Sequence, residues 1–266
     1  LTSTKNYEDS AFSISTNTSQ QITDNLSYNL GLSHVSRSPN MAELFADGKH
    51  GPTNRYEKGD SSLEREVSKN IDLGLQFTSG DSIIDFSLYR NDVKDFIYLR
   101  DLGTTSYDGE HQDANWSQKD AVFQGYEISY MKPFTLGDTD LYLTLSRDDI
   151  SATFDNDTYV PRIPSAKNVL DLTIMGQKNE TYVISLIFSE SQKDFSSIET
   201  ETNSYVDLAM KYSNKIAISS NYDLNVNLFG NNLLDRTRRN HASFVKAHVP
   251  LPASSFGFDV SLDYKF

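Results

Sequence analysis

The amino-acid sequence predicts an all-β chain, and three observations support this prediction. Apolar and polar residues alternate with a period of two in one segment after another, and no comparable helical periodicity is present. The connections between these segments are alternately short and long. The segments also exceed the usual length of about five or six residues for strands of globular sheets. Together these observations favour an antiparallel transmembrane β-barrel, with short turns at one end and long loops at the other.

The alternation predicts about eleven strands, because successive side chains of a strand point to opposite faces of its sheet. It is cleanest in the last segment, where every second residue from Phe256 onward is apolar or aromatic. The predicted strands lie near residues 8–19, 22–36, 65–78, 83–100, 118–132, 138–148, 166–176, 180–190, 203–213, 222–230 and 255–266.

The longer connections are predicted at residues 37–64, 101–117, 149–165, 191–202 and 231–254. A transmembrane barrel places its long loops outside and its short turns on the periplasmic side. Its Leu, Val, Ile and Phe side chains then face lipid, and its Asp, Asn, Ser and Gly residues face a wet interior. The alternative that the pattern leaves open is a large soluble β-sandwich or lectin-like fold, which has no reason to collect long loops at one end.

Composition narrows the function classes. The chain of 266 residues has no run of about 18 apolar residues, so no membrane-spanning helix is predicted. It has no cysteine, which excludes disulfides and thiolate metal sites. A net charge of -13 argues against a nucleic-acid partner. The same charge is compatible with cation capture and, equally, with an acidic surface that keeps a protein soluble.

Several stretches resemble the barrel of TonB-dependent outer-membrane receptors, and the resemblance covers most of the chain. Residues 33–75 resemble two motifs of that family, with their matching positions at Arg37, Pro39, Glu43, Leu44, Phe45, Glu57, Gly59, Asp60, Leu63 and Glu66. The segments DFIYL (95–99), VFQGYEISY (122–130) and VPRIPSAK (160–167) occur in the same order in such receptors. Residues 225–266 resemble the closing hairpin of the family, which ends in an aromatic residue.

The resemblance implies a larger receptor, with a plug domain followed by a barrel of about 22 strands. We therefore expect residues 1–266 to be a single β-barrel segment, the C-terminal half of such a barrel, which ends at Phe266. The plug domain, the TonB-contacting box and the first half of the barrel are absent from this sequence. A short barrel that closes on itself is the alternative. The implied partners are the lipid of a Gram-negative outer membrane and the TonB energy-coupling system, which acts through the missing plug.

Histidines and carboxylates recur in the predicted outer loops, and these side chains suit zinc and other borderline divalent ions. The segment from Gly48 to Gly59 also resembles a pattern found in receptors of the zinc-uptake type. The alternative is that these histidines are solvated or hydrogen-bonded structural residues. The candidate metal or ligand residues are Asp47, His50, Glu57, Asp60, Asp108, Glu110, His111, Asp113, His241 and His248.

Arginines near the predicted strand ends form a second candidate set. The guanidinium group suits the carboxylate or phosphate groups of an anionic siderophore. The alternative is that these arginines pair with acidic residues that face the barrel interior. This set comprises Arg37, Arg236, Arg238 and Arg239.

The leading functional hypothesis is an energy-coupled outer-membrane receptor that imports a scarce metal ion or metal chelate, such as a siderophore, haem or zinc. It implies no intrinsic cofactor and no catalytic residue. An outer-membrane barrel hydrolase is one alternative, but the sequence has no motif that places a nucleophile beside an oriented base. A passive pore or adhesin barrel is the other.

Overall fold

The computed structural model describes residues 9–265, and β-strands dominate it. One short helix, α1, spans Met41–Phe45. The strands are β1 Ile14–Thr23, β2 Leu26–Arg37, β3 Asp47–His50, β4 Arg55–Lys58, β5 Glu66–Ser79, β6 Ser82–Thr105, β7 Gln112–Leu136, β8 Thr139–Phe154, β9 Lys167–Met175, β10 Glu180–Ser189, β11 Tyr205–Ala217, β12 Tyr222–Asn231 and β13 Ser255–Tyr264. No helix within the described residues is long and apolar enough to cross a membrane.

All thirteen strands belong to one sheet, and eleven of them follow one another along the chain in the order β1-β2-β5-β6-β7-β8-β9-β10-β11-β12-β13. Each neighbouring pair on this path is antiparallel, as predicted. The two strands beyond the predicted eleven, β3 and β4, form a hairpin inside the predicted loop 37–64. β4 also pairs with β7 in parallel, which is an exception to the antiparallel pattern. Within residues 9–265, β1 and β13 do not pair with each other, so the sheet is an open wall and the self-closing alternative is not observed.

Some strand boundaries differ from the prediction. The first turn lies at Asp24–Asn25 instead of Gln20–Gln21, because β1 remains paired with β2 as far as Thr23. β6 and β7 have 24 and 25 residues, so most of the predicted loop 101–117 is strand. The two strands continue to pair beyond a register shift between Val93 and Phe96 and form a ribbon at the long-loop end. The polar sequence of this segment is typical of a loop, but the backbone groups of β6 and β7 form hydrogen bonds with each other across the ribbon.

The two faces of the sheet have opposite chemistry. On β10, Leu186 stands between Leu170 of β9 and Leu208 of β11. The next residue, Ser185, stands between Asp171 and Ala209 on the opposite face. The leucine row is exposed, with 41% of Leu186 accessible. An exposed apolar face such as that of β9–β11 is what a lipid-facing barrel wall requires, and the polar face is its interior.

Apolar packing is concentrated at the long-loop end of the sheet. One buried cluster consists of Ala121, Ala152, Phe154, Val160 and Ile163. A second contains Leu44, Leu63 and Ile97, with Phe45 and Trp116 packed against it. The first cluster includes residues of the loop that follows β8, and the second includes residues of the loop that follows β2. The hydrophobic core therefore stabilises the loops, while the strands below depend on backbone pairing and on contact with lipid.

Because one face of the sheet is assigned to lipid and the other to the wet interior, an arginine introduced on each face should change stability differently. Replacing Leu186 by Arg puts a guanidinium into hydrocarbon and should lower the free energy of unfolding by about 2–4 kcal/mol in a lipid bilayer. The matched variant Ser185→Arg points to the wet interior beside Asp171 and should be nearly neutral. Denaturant unfolding of the complete receptor in liposomes measures both. Equal destabilisation by the two variants would contradict the assignment.

Candidate functional site

The β3–β4 hairpin stands on the long-loop end of the sheet and carries the first group of candidate residues. Its strand β4 extends the β6–β7 ribbon by pairing in parallel with β7, where Glu57 lies opposite Ala114. Tyr56 packs edge-on against Tyr107, with ring centroids 5.4 Å apart. His50 lies opposite Arg55 in the hairpin, and Arg55 lies opposite Gln112. The hairpin therefore lies beside β7 in the same sheet and holds His50 close to the tip of the ribbon.

His50 is oriented by a buried carboxylate. Its Nδ1 lies 2.8 Å from Oε1 of Glu57, whose side chain is only 5% exposed. The hydroxyl of Thr53 donates to the same oxygen at 2.6 Å. The imidazole itself is half exposed. A histidine whose one ring nitrogen is held by a carboxylate can present the other to a ligand, which is the usual arrangement at metal sites.

A second group gathers at the tip of the ribbon. Ligand atoms of Asp108, Glu110 and His111 all lie within 4.8 Å of one another, the one such group among the described residues. Nδ1 of His111 is 2.9 Å from Oδ2 of Asp108. The ammonium of Lys49, on the neighbouring hairpin, is 3.0 Å from the same oxygen and 3.8 Å from Oε2 of Glu110. A divalent cation entering this group would displace the lysine.

Hydrogen bonds stabilise the ionised form of Asp108. The hydroxyl of Ser106 donates to Oδ1, as do the backbone N–H groups of Glu110 and His111. Together with the Lys49 ammonium, these donors hold the pKa of Asp108 well below its usual range. Contact with Asp108 in turn raises the pKa of Lys49. The carboxylate is thus available as an anionic ligand at any pH near neutrality.

The other predicted carboxylates are separate from these two groups. Asp47 accepts a hydrogen bond from the Tyr56 hydroxyl at 3.2 Å. Asp60 accepts from both the backbone and the hydroxyl of Ser62, which lowers its pKa and shapes the turn before β5. Asp113 accepts from Thr104 across the ribbon. The prediction that the candidate residues lie in loops was wrong for four of them. The strands β3, β4 and β7 contain Asp47, His50, Glu57 and Asp113.

The outer loops converge on a cluster that we call the loop hub, formed by Arg55, Asp101, Arg162 and Phe244. Asp101 accepts hydrogen bonds from Arg55 Nε at 2.6 Å and from Arg162 Nη1 at 3.2 Å. The Arg162 guanidinium lies 3.9 Å from the centroid of the Phe244 ring, and that of Arg55 lies 5.6 Å from it. Four separate segments of the chain meet here, so the hub ties the hairpin, the ribbon and two loops together.

Arg162 is the central residue of the loop hub. Its backbone has φ +64°, a left-handed conformation that is costly for a residue with a side chain. Its backbone N–H donates to Glu199 at 3.0 Å, and its guanidinium donates to the carbonyl oxygen of Leu99. Burial lowers the pKa of this guanidinium, although Asp101 opposes the effect. These contacts stabilise the left-handed backbone conformation of Arg162.

His241 is buried beside the loop hub. Its Nδ1 lies 2.8 Å from the Thr202 hydroxyl and 3.1 Å from the Lys246 ammonium. An ammonium can only donate, so Nδ1 is the acceptor and the ring proton is on Nε2. Nε2 is buried and lies 3.7 Å from Oε1 of Glu199. Burial and the neighbouring Lys246 lower the pKa of His241 to about 4, so the ring is neutral near pH 7.

The predicted arginines are mostly engaged with the protein. Arg37 contacts both carboxylate oxygens of Glu43 and one of Glu66, at 2.9–3.0 Å. Arg238 is buried and pairs with Asp207 on the inner face of β11. The guanidinium of Arg239 donates to the carbonyl oxygen of Lys246, and Arg236 is exposed.

The remaining two candidates are His248 and Phe266. His248 is exposed, and its backbone N–H donates to Val245. Phe266, the predicted terminus of the barrel, lies outside the described residues.

The sequence pattern does not reveal the residues that join the loops. Lys49, Asp101 and Lys246 were not singled out, because a charged residue in a polar segment has no distinguishing pattern. Arg162 had a signal, since it stands between two prolines in VPRIP, where the backbone has few options. That segment contributed only to the family resemblance.

The comparisons with known proteins agree with this architecture. Residues 2–233 match the family model described as TonB dependent receptor-like, beta-barrel. Heme/hemopexin utilization protein C of Haemophilus influenzae is 27% identical over 120 residues, which is 40% of this chain and 17% of that protein. A second sequence of this protein from the same species is 27% identical over 129 residues, covering 42% and 18%.

Solved structures show the same fold. The copper transporter OprC superposes with a TM-score of 0.72 at 18% identity, over 94% of this chain and 39% of that one. The siderophore receptor PirA from Acinetobacter baumannii gives 0.63 at 19% identity, over 96% and 41%. The chain therefore spans about two fifths of the length of these receptors and under a fifth of the curated relatives.

The turn at Gly59 predicts a sharp difference between two glycine substitutions. A Cβ at Gly59 would lie 2.5–2.7 Å from backbone atoms of residues 44–46, where it has no room. Gly59→Ala should therefore undock α1 from the hairpin and expose residues 46–62 to protease. Gly48→Ala meets nothing within 4 Å and is the matched control. Limited proteolysis with mass spectrometry measures both variants, and equal cleavage would contradict the prediction.

The neutral His241 predicts acid sensitivity of the outer loops. Its pKa is lower in the folded state than its ordinary value of 6.5, so its stabilising contribution is complete above that pH. The contribution declines as the pH falls toward 4, because protonation then favours the opened loops. The protection factors of the amides in residues 195–202 and 240–246, which compare the observed exchange rate with the intrinsic rate at each pH, should fall over this range. The change should be absent in His241→Gln, which cannot titrate, and should persist in the control His248→Gln.

Proposed function

Because the chain belongs to the TonB-dependent receptor β-barrel family, we propose that it forms part of an energy-coupled importer whose cargo is a metal ion or metal chelate. Members of this family are β-barrels of the Gram-negative outer membrane, and the chain shares that location. They are transporters and receptors, not enzymes, so the barrel hydrolase is set aside. In this proposal the plug domain and the remaining strands come from other parts of the receptor.

The observation that carries the cargo assignment is the pairing of His50 with the buried Glu57. Holding Nδ1 leaves Nε2 as the nitrogen for a metal centre, and the half-exposed ring is accessible from outside. The group of Asp108, Glu110 and His111 lies at the tip of the adjoining ribbon and supplies further oxygen and nitrogen ligands. These donors suit divalent metals, and imidazole is also an axial ligand of haem.

The partial relatives support a metal-bearing cargo. The curated proteins that match this chain are named for haem and hemopexin utilization. Imidazole ligation would serve either a bare ion or an iron-containing macrocycle, so the ligand chemistry is shared. Residues of the chain bind and orient the cargo, and they hold no intrinsic cofactor in this proposal. Transport then requires the TonB system to act on the plug domain.

Titration calorimetry of the complete receptor tests the cargo. Zn²⁺, Fe²⁺, Cu²⁺ and haem are titrated at about pH 7.5 and about pH 5.5, on either side of the ordinary histidine pKa. We expect tight binding of one of them near pH 7.5 and weaker binding near pH 5.5, because protonation removes the lone pair that binds metal. His50→Ala should lower the affinity by at least about tenfold, the factor expected for loss of a ligand or its carboxylate partner.

Matched variants separate the two groups of candidate ligands. His111→Ala tests the tip of the ribbon, and Glu57→Gln tests the orientation of His50 without removing the ring. His248→Ala removes an exposed histidine that contacts neither group and should leave binding unchanged. Failure of the complete receptor to bind any of the four probes would contradict a cargo held by these histidines. Uptake that persists without the TonB system would contradict energy coupling.

A further inference from the structure

Arg55 joins the β3–β4 hairpin to the β6–β7 ribbon by a side-chain contact as well as by backbone pairing. β4 and β7 pair over four residues, from Arg55 opposite Gln112 to Lys58 opposite Asn115. The Arg55 guanidinium also donates to the carboxylate of Asp101 on β6, from Nε at 2.6 Å and from Nη2 at 3.3 Å. Only about one tenth of each side chain is exposed, at 10% and 9%. Water therefore competes little with this fork of hydrogen bonds.

Asp101 is held in place from the other side of the loop hub. Arg162 donates to its Oδ2 at 3.2 Å and to the carbonyl oxygen of Leu99 on the same strand. Ala114, which lies opposite Asp101 on β7, is fully buried. A carboxylate with two arginine partners and a buried neighbour is a fixed point. The ion pair therefore anchors Arg55 in addition to neutralising it.

The same guanidinium holds the turn of the hairpin. Its Nη1 donates to the carbonyl oxygens of Thr53 at 3.0 Å and of Asn54 at 3.4 Å. Asn54 has φ +54°, a left-handed conformation, and its backbone N–H donates to the carbonyl oxygen of Gly51. Arg55 thus satisfies two carbonyl groups of a tight turn and connects the shape of that turn to the ribbon.

Thr53 carries this constraint to the His50 side chain. Its carbonyl oxygen accepts from Arg55, while its hydroxyl donates to Oε1 of Glu57 at 2.6 Å. Nδ1 of His50 lies 2.8 Å from the same oxygen. An ionised carboxylate can only accept, so the proton of this contact is on Nδ1, and Nε2 of the neutral ring has none. The position of Thr53 therefore bears directly on the orientation and tautomer of His50.

Strand alternation places these groups on one face of the hairpin. His50 lies opposite Arg55, and Glu57 is two residues further along β4, so the three side chains share a face. Lys49 lies on the other face, where its ammonium contacts Asp108. The orientation of His50 is thus set from the loop hub and not from the tip of the ribbon.

We propose that Arg55 and Asp101 are positioning residues for cargo binding at His50. The ion pair fixes the turn, and the turn fixes Thr53 and Glu57, which hold the imidazole with Nε2 open to the cargo. Arg55 and Asp101 act through these residues and not by contact with the cargo. The inference rests on the proposed function, in which His50 is the cargo ligand. Replacing residues that orient a metal-ligating histidine typically lowers affinity by about 10–100-fold.

Nitrogen-15 spectra of the complete receptor test the positioning without any cargo. The receptor is labelled at histidine and studied in lipid bilayers at about pH 7.5, where the neutral ring dominates. A ring with its proton held on Nδ1 gives two widely separated nitrogen signals, whereas a ring that exchanges between tautomers gives averaged ones. The signals of His50 are those missing from His50→Gln. They should be separated in the unaltered receptor and averaged in Arg55→Lys, which keeps the charge but loses the fork.

Arg90 and Asp92 supply a matched control on the wall of the sheet. They form the same kind of fork, with Nη2 2.7 Å and Nε 3.0 Å from the carboxylate oxygens, so Arg90→Lys should leave the His50 signals unchanged. Thr53→Val removes the hydroxyl that donates to Glu57 and should average the signals as Arg55→Lys does. It tests the same contacts if Arg55→Lys does not fold, which heat-modifiable migration on gels reveals. Separated His50 signals in both variants would overturn the proposal.

Calorimetric titration with Zn²⁺ and with haem adds a double-mutant cycle. Arg55→Lys and Asp101→Asn should each lower the affinity for the probe that binds by about tenfold. Neither should lower it further in a receptor that already carries His50→Ala, because both act through His50. Equal losses with and without His50 would show a general structural role and would overturn the proposal. If neither probe binds the unaltered receptor, the cargo assignment at His50 fails, whereas the nitrogen spectra still decide whether Arg55 positions the ring.

Discussion

The absence of water in hydrocarbon means that every backbone N–H and C=O of the wall must find a partner within the sheet. The unbroken ladder meets this requirement for the strands between β1 and β13, while the outer edges of β1 and β13 have no neighbouring strand within residues 9–265. Alternation of side chains then follows, with leucines such as Leu186 outside and Ser185 inside. Because the inner face of the wall is polar, dense apolar packing is left to the loop end, around Ala121 and Leu44.

The same requirement explains why the loops are built as they are. Outside the membrane the chain is free to leave the ladder, yet β6 and β7 continue it, and β4 adds a parallel strand to it. Charged side chains then connect strands and loops that do not share backbone hydrogen bonds. Asp101 accepts from two arginines, and Phe244 packs beneath both guanidinium groups. The loops are thus an ordered layer above the wall, with charge and aromatic contacts at its centre.

The wall was largely predictable from sequence, because a two-residue period has a single structural meaning over ten or more residues. The loops were only partly predictable. His50 and Glu57 were recognised as candidates seven positions apart, but their contact depends on a hairpin that periodicity does not reveal. Arg162 and Phe244 meet from loops far apart in the chain, so no local spacing encodes the contact. The extended ribbon of β6 and β7 escaped prediction because both its faces are polar near the tip.

The lysine at the tip of the ribbon has a consequence for selectivity. Lys49 is a cation tethered 3.0 Å from Asp108, and a tethered group competes at the millimolar effective concentrations typical of short linkages. Any cation that reaches this carboxylate must therefore take part in an ion exchange, with one charge released as another enters. For a dilute monovalent ion, replacing the lysine gives no gain in electrostatic free energy, whereas for a doubly charged ion it does. In the proposed metal site, Lys49 would be the cation that an entering metal ion displaces.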